Sequence, residues 1–232
     1  MDSGRTQGSD SARDAEVAKR YFGSFADDYH EAFRGAGASF LHRTINKAFR
    51  RRTFERRTQD VEGVLRDFGV SGKQVLDIGC GSGEVSLVAA RLGARVVGLD
   101  IVEDMVRIAR SEAERAGLAD RADFRVFDMT REALPSADVA MLIGVIEYYG
   151  DIETLLKKVA AATSEMVVIV DTRGPLWRRT LRHVLAAAKH FNLHYHSPAR
   201  VVAAMATEGF RETTRMVGHS YTLFAFCRSA RT

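Results

Sequence analysis

Cysteine is scarce in this chain. Cys80 and Cys227 are the two present among 232 residues; they lie far apart, neither has metal-ligand spacing, and both read as small apolar packers. No metal site is expected. Long apolar runs are missing as well: no stretch reaches the roughly 18 uninterrupted apolar residues of a membrane span, so none is expected. Residues 1–13 are polar and mixed in charge, without the apolar run of a secretory signal, and a cytoplasmic location is the expectation. No internal repeat or low-complexity tract is evident.

What is present suffices for one substantial core. At 232 residues and 46% hydrophobic content, the chain is most simply a single domain. The net charge is +4, and the positive charge is clustered. Arg43, Lys47, Arg50, Arg51, Arg52, Arg56 and Arg57 crowd one segment; Arg173, Arg178, Arg179, Arg182 and Lys189 crowd another. These are either solvated helix faces or an attraction for an anionic substrate or an acidic partner surface. Nucleic acid is not favoured, because Phe49 and Phe54 alone interleave the first run and no recognised binding motif accompanies it.

Residues 1–13 read as a disordered lead-in, and 14–70 as a helical N-terminal lid with a first sheet-packing helix. Tyr21, Phe22, Phe25, Tyr29 and Phe33 recur at helical spacing, and Gly35 to Ala38 loosens the chain. A long helix is predicted over 39–68, burying Leu41, Ile45, Ala48, Phe49, Val61, Val64 and Leu65. From 71 to 230 short apolar runs alternate with helical patterns, the signature of parallel βαβ units. Strands are predicted at 74–78, 95–100, 122–127, 139–142 and 166–171, and helices at 84–92, 102–116, 152–162, 175–189 and 198–208. Residues 172–208 form an insertion expected to cover a substrate. The last two runs, 210–217 and 221–228, have no helix between them and should pair antiparallel.

The most informative stretch is Val75-Leu76-Asp77-Ile78-Gly79-Cys80-Gly81-Ser82-Gly83-Glu84-Val85. A buried strand breaks sharply into a helix across a backbone bare enough for a ligand to lie against it. The helix start offers unpaired N–H groups. Asp100, at the tip of the second strand, is placed to accept both hydroxyl hydrogens of a ribose. The order Asp-x-Gly-x-Gly-x-Gly departs from the Gly-x-Gly-x-x-Gly of dinucleotide folds. An acid in the turn would repel a pyrophosphate but suits a ligand bearing an ammonium and a sulfonium. That description fits S-adenosylmethionine.

Asp77 to Gly83, followed by Val97-Gly98-Leu99-Asp100, resembles class I S-adenosylmethionine-dependent methyltransferases of the small-molecule, type 11 kind. The likeness runs from about Tyr21 to Ala230. It implies a Rossmann-like α/β sheet, mostly parallel, in the order 3-2-1-4-5-7-6 with the last strand antiparallel. It implies that Gly79, Gly81 and Gly83 line the methionine and ribose, with Asp77 near the amino end. Cys80 in the turn and Gly144 beyond strand four join these contacts. Ile101 would lie against adenine, Asp128 would take the adenine amino group, and Met129 would offer its backbone N–H. Asp128 as a cap on Thr130 stays open. Tyr21 would meet the methionine carboxylate or simply pack; Arg43 and several other arginines compete for that carboxylate.

Methyl transfer from a sulfonium needs alignment and desolvation more than a dedicated base. After strand four this chain reads Glu147-Tyr148-Tyr149, where many relatives of the resembled family carry an acid followed by histidine. Glu147 would serve the sulfonium end, and Tyr148 and Tyr149 the acceptor pocket or plain packing. His194 and His196 are candidate acid–base or substrate contacts. Trp177, Phe191 and Tyr195 among basic residues suit a planar or amphipathic anionic acceptor, a layout similar to the magnesium-protoporphyrin O-methyltransferases. The expected activity is methylation of a small organic acceptor, oxygen slightly favoured. A macromolecular substrate, and a cofactor-binding module without turnover, are the alternatives.

Overall fold

The computed structural model describes residues 42–172 and 193–229. Helix α1 (His42–Phe68) leads into β1 (Gln74–Ile78), α2 (Glu84–Arg91), β2 (Arg95–Asp100), α3 (Glu103–Arg115) and β3 (Ala122–Val126). Next come β4 (Ala137–Ile143), a 3-10 turn (Ile146–Tyr148), α4 (Ile152–Ala162) and β5 (Thr163–Asp171). Then α5 (Pro198–Thr207), β6 (Phe210–Val217) and β7 (Thr222–Arg228) follow. The aromatic segment before residue 39, the start of the long helix and the predicted helix at 175–189 lie outside the described residues. So do Leu41 and the side chains of Ile45, Ala48 and Phe49.

The seven strands are ordered β3-β2-β1-β4-β5-β7-β6. The first five run parallel to their neighbours, β7 is antiparallel to β5, and β6 is antiparallel to β7. This is the order the resemblance implies. Parallel strands are covered on both faces, so their residues alternate between two cores. Val139 and Met141 join Val61, Leu65, Val85 and Val106 from α1, α2 and α3 on one side. Ala140 and Leu142 join Leu155, Leu156, Val201 and Met205 from α4 and α5 on the other. Cys80 and Cys227 are free thiols, partly buried against the first of these cores. Among the described residues no helix is long and apolar enough to cross a membrane.

Helix starts follow local chemistry. The Asp151 side chain accepts from Thr154 N–H at 3.0 Å to begin α4, and Ser197 does the same for Arg200 at 3.2 Å ahead of Pro198 in α5. Two strand starts differ from the sequence expectation by two residues or more. β4 begins at Ala137, with a register shift against β5 between Ala137 and Val139. β5 begins at Thr163 rather than Met166, because α4 passes into it without a loop. The helix-end carbonyls are satisfied from elsewhere: Arg228 of β7 donates to Ala160 O at 2.7 Å and to Thr163 O, and Thr163 Oγ1 donates to Val159 O at 2.7 Å.

Candidate active site

β1 lies between β2 and β4, so the order of connection reverses at its carboxyl end and leaves a crevice there. The glycine loop fills the rim of that crevice. Gly79, Gly81 and Gly83 have φ of 70°, 54° and 81°. Gly83 also serves as the N-cap of α2, and a Cβ there would lie 2.9 Å from Phe124 and 3.0 Å from Ala109. At Gly81 a Cβ would meet nothing within 4 Å among the described residues. One glycine is required by packing and the other leaves room for a ligand.

Two carboxylates flank this loop. Asp100 Oδ2 accepts from Gly81 N–H at 2.8 Å, and its Oδ1 accepts from Val102 N–H at 2.9 Å. These bonds use two of the roughly four acceptor positions of a carboxylate and leave capacity for a vicinal diol. Burial raises the Asp100 carboxyl, against the backbone N–H groups of Val102, Gly81 and Ile101. Asp77 is 2% exposed, and its Oδ2 accepts from Ser86 Oγ at 2.5 Å. Burial pushes the Asp77 carboxyl up to about 6; the Asp100 charge adds, while the Ser86 bond and the Arg57 charge oppose. The Cys80 thiol is raised well above its ordinary value, chiefly by burial and then by Asp100 and Asp77. It is an inert packer in the turn.

Arg57 is the arginine that sequence reasoning listed in the basic run but did not single out. It is 9% exposed, whereas Arg52 and Arg56 beside it are exposed. Its guanidinium sits 4.6 Å from the Phe54 ring, and Nη1 lies 3.7 Å from the Cβ position of Gly144. Thr172 Oγ1 and Glu147 Oε1 lie 3.2 and 4.0 Å from that same position. The positive charge of Arg57 opposes the burial that raises Glu84. Among the described residues neither Arg57 Nε nor Glu84 Oε2 has a hydrogen-bond partner. A findable signal existed: Arg57, Val61 and Val64 share one helix face at i, i+4 and i+7.

The remaining sequence candidates follow β2, β3 and β4 or precede α5. Ile101 packs on Val102, Met105 and Ile108. Asp128 Oδ1 accepts from Thr130 N–H at 2.9 Å and Thr130 Oγ1 at 2.6 Å, and Oδ2 lies 3.3 Å from Arg131 Nε. It therefore caps its own turn, the reading left open for it. Met129 is buried in the core, and its carbonyl accepts from Lys158 Nζ. Glu147 is 1% exposed in the 3-10 turn, and Tyr148 and Tyr149 are half-buried. His194 lies over Gly150, and its ring is 6.4 Å from that of His196, which is buried. Tyr21 lies outside the described residues. Among the described residues no group of three or more His, Cys, Asp or Glu side chains is arranged to hold a metal ion.

An acid–glycine loop at the switch point of a 3-2-1-4-5-7-6 sheet, with an acid ending β2, defines the class I S-adenosylmethionine-dependent methyltransferases. Residues 70–219 match the family model described as "Methyltransferase domain", and the chain belongs to that family. The residues fit the cofactor of this class: an open Gly81, a diol acceptor in Asp100, and opposite charges in Arg57 and Asp77.

Among curated proteins, a ubiquinone biosynthesis O-methyltransferase of Ruegeria pomeroyi is 43% identical over 103 residues, 40% of each chain. That of Azorhizobium caulinodans is 34% identical over 163 residues, 64% of this chain and 62% of that one. The chain thus spans less than two thirds of these relatives. Among solved structures, magnesium protoporphyrin IX methyltransferase from Synechocystis with bound S-adenosylmethionine superposes with a TM-score of 0.75. That match is 20% identical and covers 93% of this chain and 97% of that one, a likeness of fold. A [4+2]-cyclase also superposes, with a TM-score of 0.58 at 14% identity over 73% of this chain and 80% of that one. Fold alone does not dictate the reaction.

Proposed function

We propose that this chain transfers a methyl group from S-adenosylmethionine to a small organic acceptor, an oxygen nucleophile on a planar or amphipathic anionic molecule. The observation that carries the reading is the convergence of Arg57, Gly144, Glu147 and Thr172 beside the open glycine loop. Arg57 is the group for the methionine carboxylate, and Asp77 for the ammonium. Asp100 takes the ribose hydroxyls. The bound cofactor supplies an electrophilic methyl carbon on a positively charged sulfur. Glu147, buried beside Gly144 with Arg57, serves the sulfonium end, and Tyr148 and Tyr149 shape the acceptor pocket. The similarity to ubiquinone biosynthesis O-methyltransferases supports oxygen as the receiving atom, and the fold shared with magnesium protoporphyrin IX methyltransferase is compatible with a planar acceptor.

The test is calorimetric titration with S-adenosylmethionine and S-adenosylhomocysteine, followed by transfer of a tritiated methyl group to 3,4-dihydroxybenzoate and related phenolic acids. Micromolar binding of both ligands and label in the organic acid are expected. Absence of binding would refute the cofactor reading. Label recovered in added RNA or protein but never in a phenolic acid would replace the small acceptor by a macromolecular one. Binding without transfer to any acceptor would make the chain a cofactor-binding module.

A further inference from the structure

Residues 193–197 lead into α5, and this short segment is tied to the turn after β4 by its backbone and by one imidazole. His194 N–H donates to Glu147 O at 2.8 Å. His196, 3% exposed, has Nε2 at 2.8 Å from Tyr149 O and 3.2 Å from Ile146 O. On the far side its Nδ1 lies 3.3 Å from Arg200 Nη1. Arg200 is in turn held by Glu153, with Nε and Nη2 at 2.7 and 2.6 Å from the two carboxylate oxygens.

These partners dictate where the proton sits. A carbonyl oxygen can only accept, and a guanidinium can only donate. The ring must therefore carry its hydrogen on Nε2 and present a lone pair at Nδ1. The other tautomer would face two carbonyls with a lone pair and the guanidinium with an N–H. The imidazolium would set N–H against guanidinium as well. One neutral form satisfies these two carbonyls and the guanidinium together, and the Arg200–Glu153 pair holds the guanidinium against Nδ1.

We infer that His196 is a positioning residue: its Nε2–H, braced through Nδ1 by Arg200 and Glu153, holds the turn Ile146–Tyr149 in its acceptor-facing shape. The inference rests on the proposal that this turn faces the acceptor. It gives His196 no contact with the reacting atoms, and it separates the turn from the glycine loop and Asp100, which are held by other bonds.

The experiment uses the full chain and needs no identified acceptor. In ¹⁵N-histidine-labelled protein at pH 7, His196 should show the neutral Nε2–H tautomer; the Nδ1–H tautomer or an imidazolium would overturn the assignment. Hydrogen exchange followed by mass spectrometry should then show the segment 145–150 exchanging about tenfold faster in His196→Phe, which fills the volume without a donor. His196→Gln, which restores an N–H, should return most of the protection. Arg200→Ala, at a side chain 45% exposed, should give a smaller acceleration confined to the same segment. Binding of S-adenosylhomocysteine should stay within about threefold of the parent throughout. Unchanged exchange in His196→Phe, or a glutamine variant no better than phenylalanine, would refute the role. If phenylalanine unfolds the chain, Arg200→Ala decides: faster exchange in β1 and β2 as well would make the role merely structural. Failure of the parent to bind either cofactor form would remove the methyl-transfer reading, and the tautomer and exchange results would still decide the clamp.

Discussion

Replacing Asp77 by asparagine keeps the side-chain shape and an acceptor for Ser86 Oγ while removing a buried negative charge. The carboxyl is pushed from 3.8 up to about 6, burial being the largest cause. At 1.36 kcal/mol per pH unit, that displacement corresponds to about 3 kcal/mol. The folded chain holds this proton more tightly than the unfolded chain does. The parent's stability contribution from Asp77 is therefore intact below pH 3.8, falls as pH rises toward 6, and then stays low. Asparagine has no such loss. Urea unfolding of both proteins without cofactor should give the variant an advantage of about 1 kcal/mol at pH 4.5, growing to about 3 kcal/mol by pH 7 and then levelling. The same variant should bind S-adenosylmethionine more weakly by about 1–3 kcal/mol, because the ammonium loses a charged acceptor. An advantage independent of pH, or a parent more stable than the variant at pH 8, would refute the burial argument.

Asp100→Ala should cost about 1–3 kcal/mol of cofactor affinity in calorimetry, and unchanged affinity would break the ribose assignment. Gly81→Ala, whose Cβ meets no atom within 4 Å among the described residues, should lose about 1–2 kcal/mol of stability from its left-handed backbone and should bind the cofactor worse. Gly83→Ala drives into Phe124 and Ala109 and should lower the melting temperature further; equal losses would contradict the division between the two glycines. Arg57→Met removes a positive charge that lowers the Asp77 carboxyl, so the midpoint of the Asp77-dependent stability profile should move to higher pH, and a fixed midpoint would deny their coupling. For His196, burial and then Arg200 lower the imidazole below its ordinary value, against the Tyr149 and Ile146 carbonyls and the Asp171 charge. The folded state thus binds fewer protons, and with Glu153 balancing Arg200 the parent should lose stability as pH falls below about 6.5 while His196→Gln does not; parallel profiles would contradict this.

The sheet was legible because buried parallel strands leave apolar runs, and because Asp77 and Asp100 mark where two of them end. The antiparallel close was legible from the missing crossover between Val217 and Tyr221. The early start of β5 was not, since no glycine or proline punctuates it and the stop signal is Arg228, distant in sequence. At the site, the glycine loop announces itself through residue type. Arg57 does not, because it sits in a run of arginines and only the helix phase set by Val61 and Val64 turns it inward. His196 was read from the sequence as a candidate acid–base or substrate contact. Its commitment to two carbonyls depends on how two distant segments meet, which neither segment encodes alone.

Asp100 closes the glycine loop through the Gly81 N–H and is also the group proposed for the ribose. Loop shape and ligand choice are thereby lodged in one side chain. An engineer seeking to adapt this chain to analogues with altered sugar hydroxyls cannot treat position 100 as a free selectivity dial, since any change there also unfastens the loop. Selectivity would have to be rewritten from Ile101 or from the α1 side, with Asp100 left in place as the fastening.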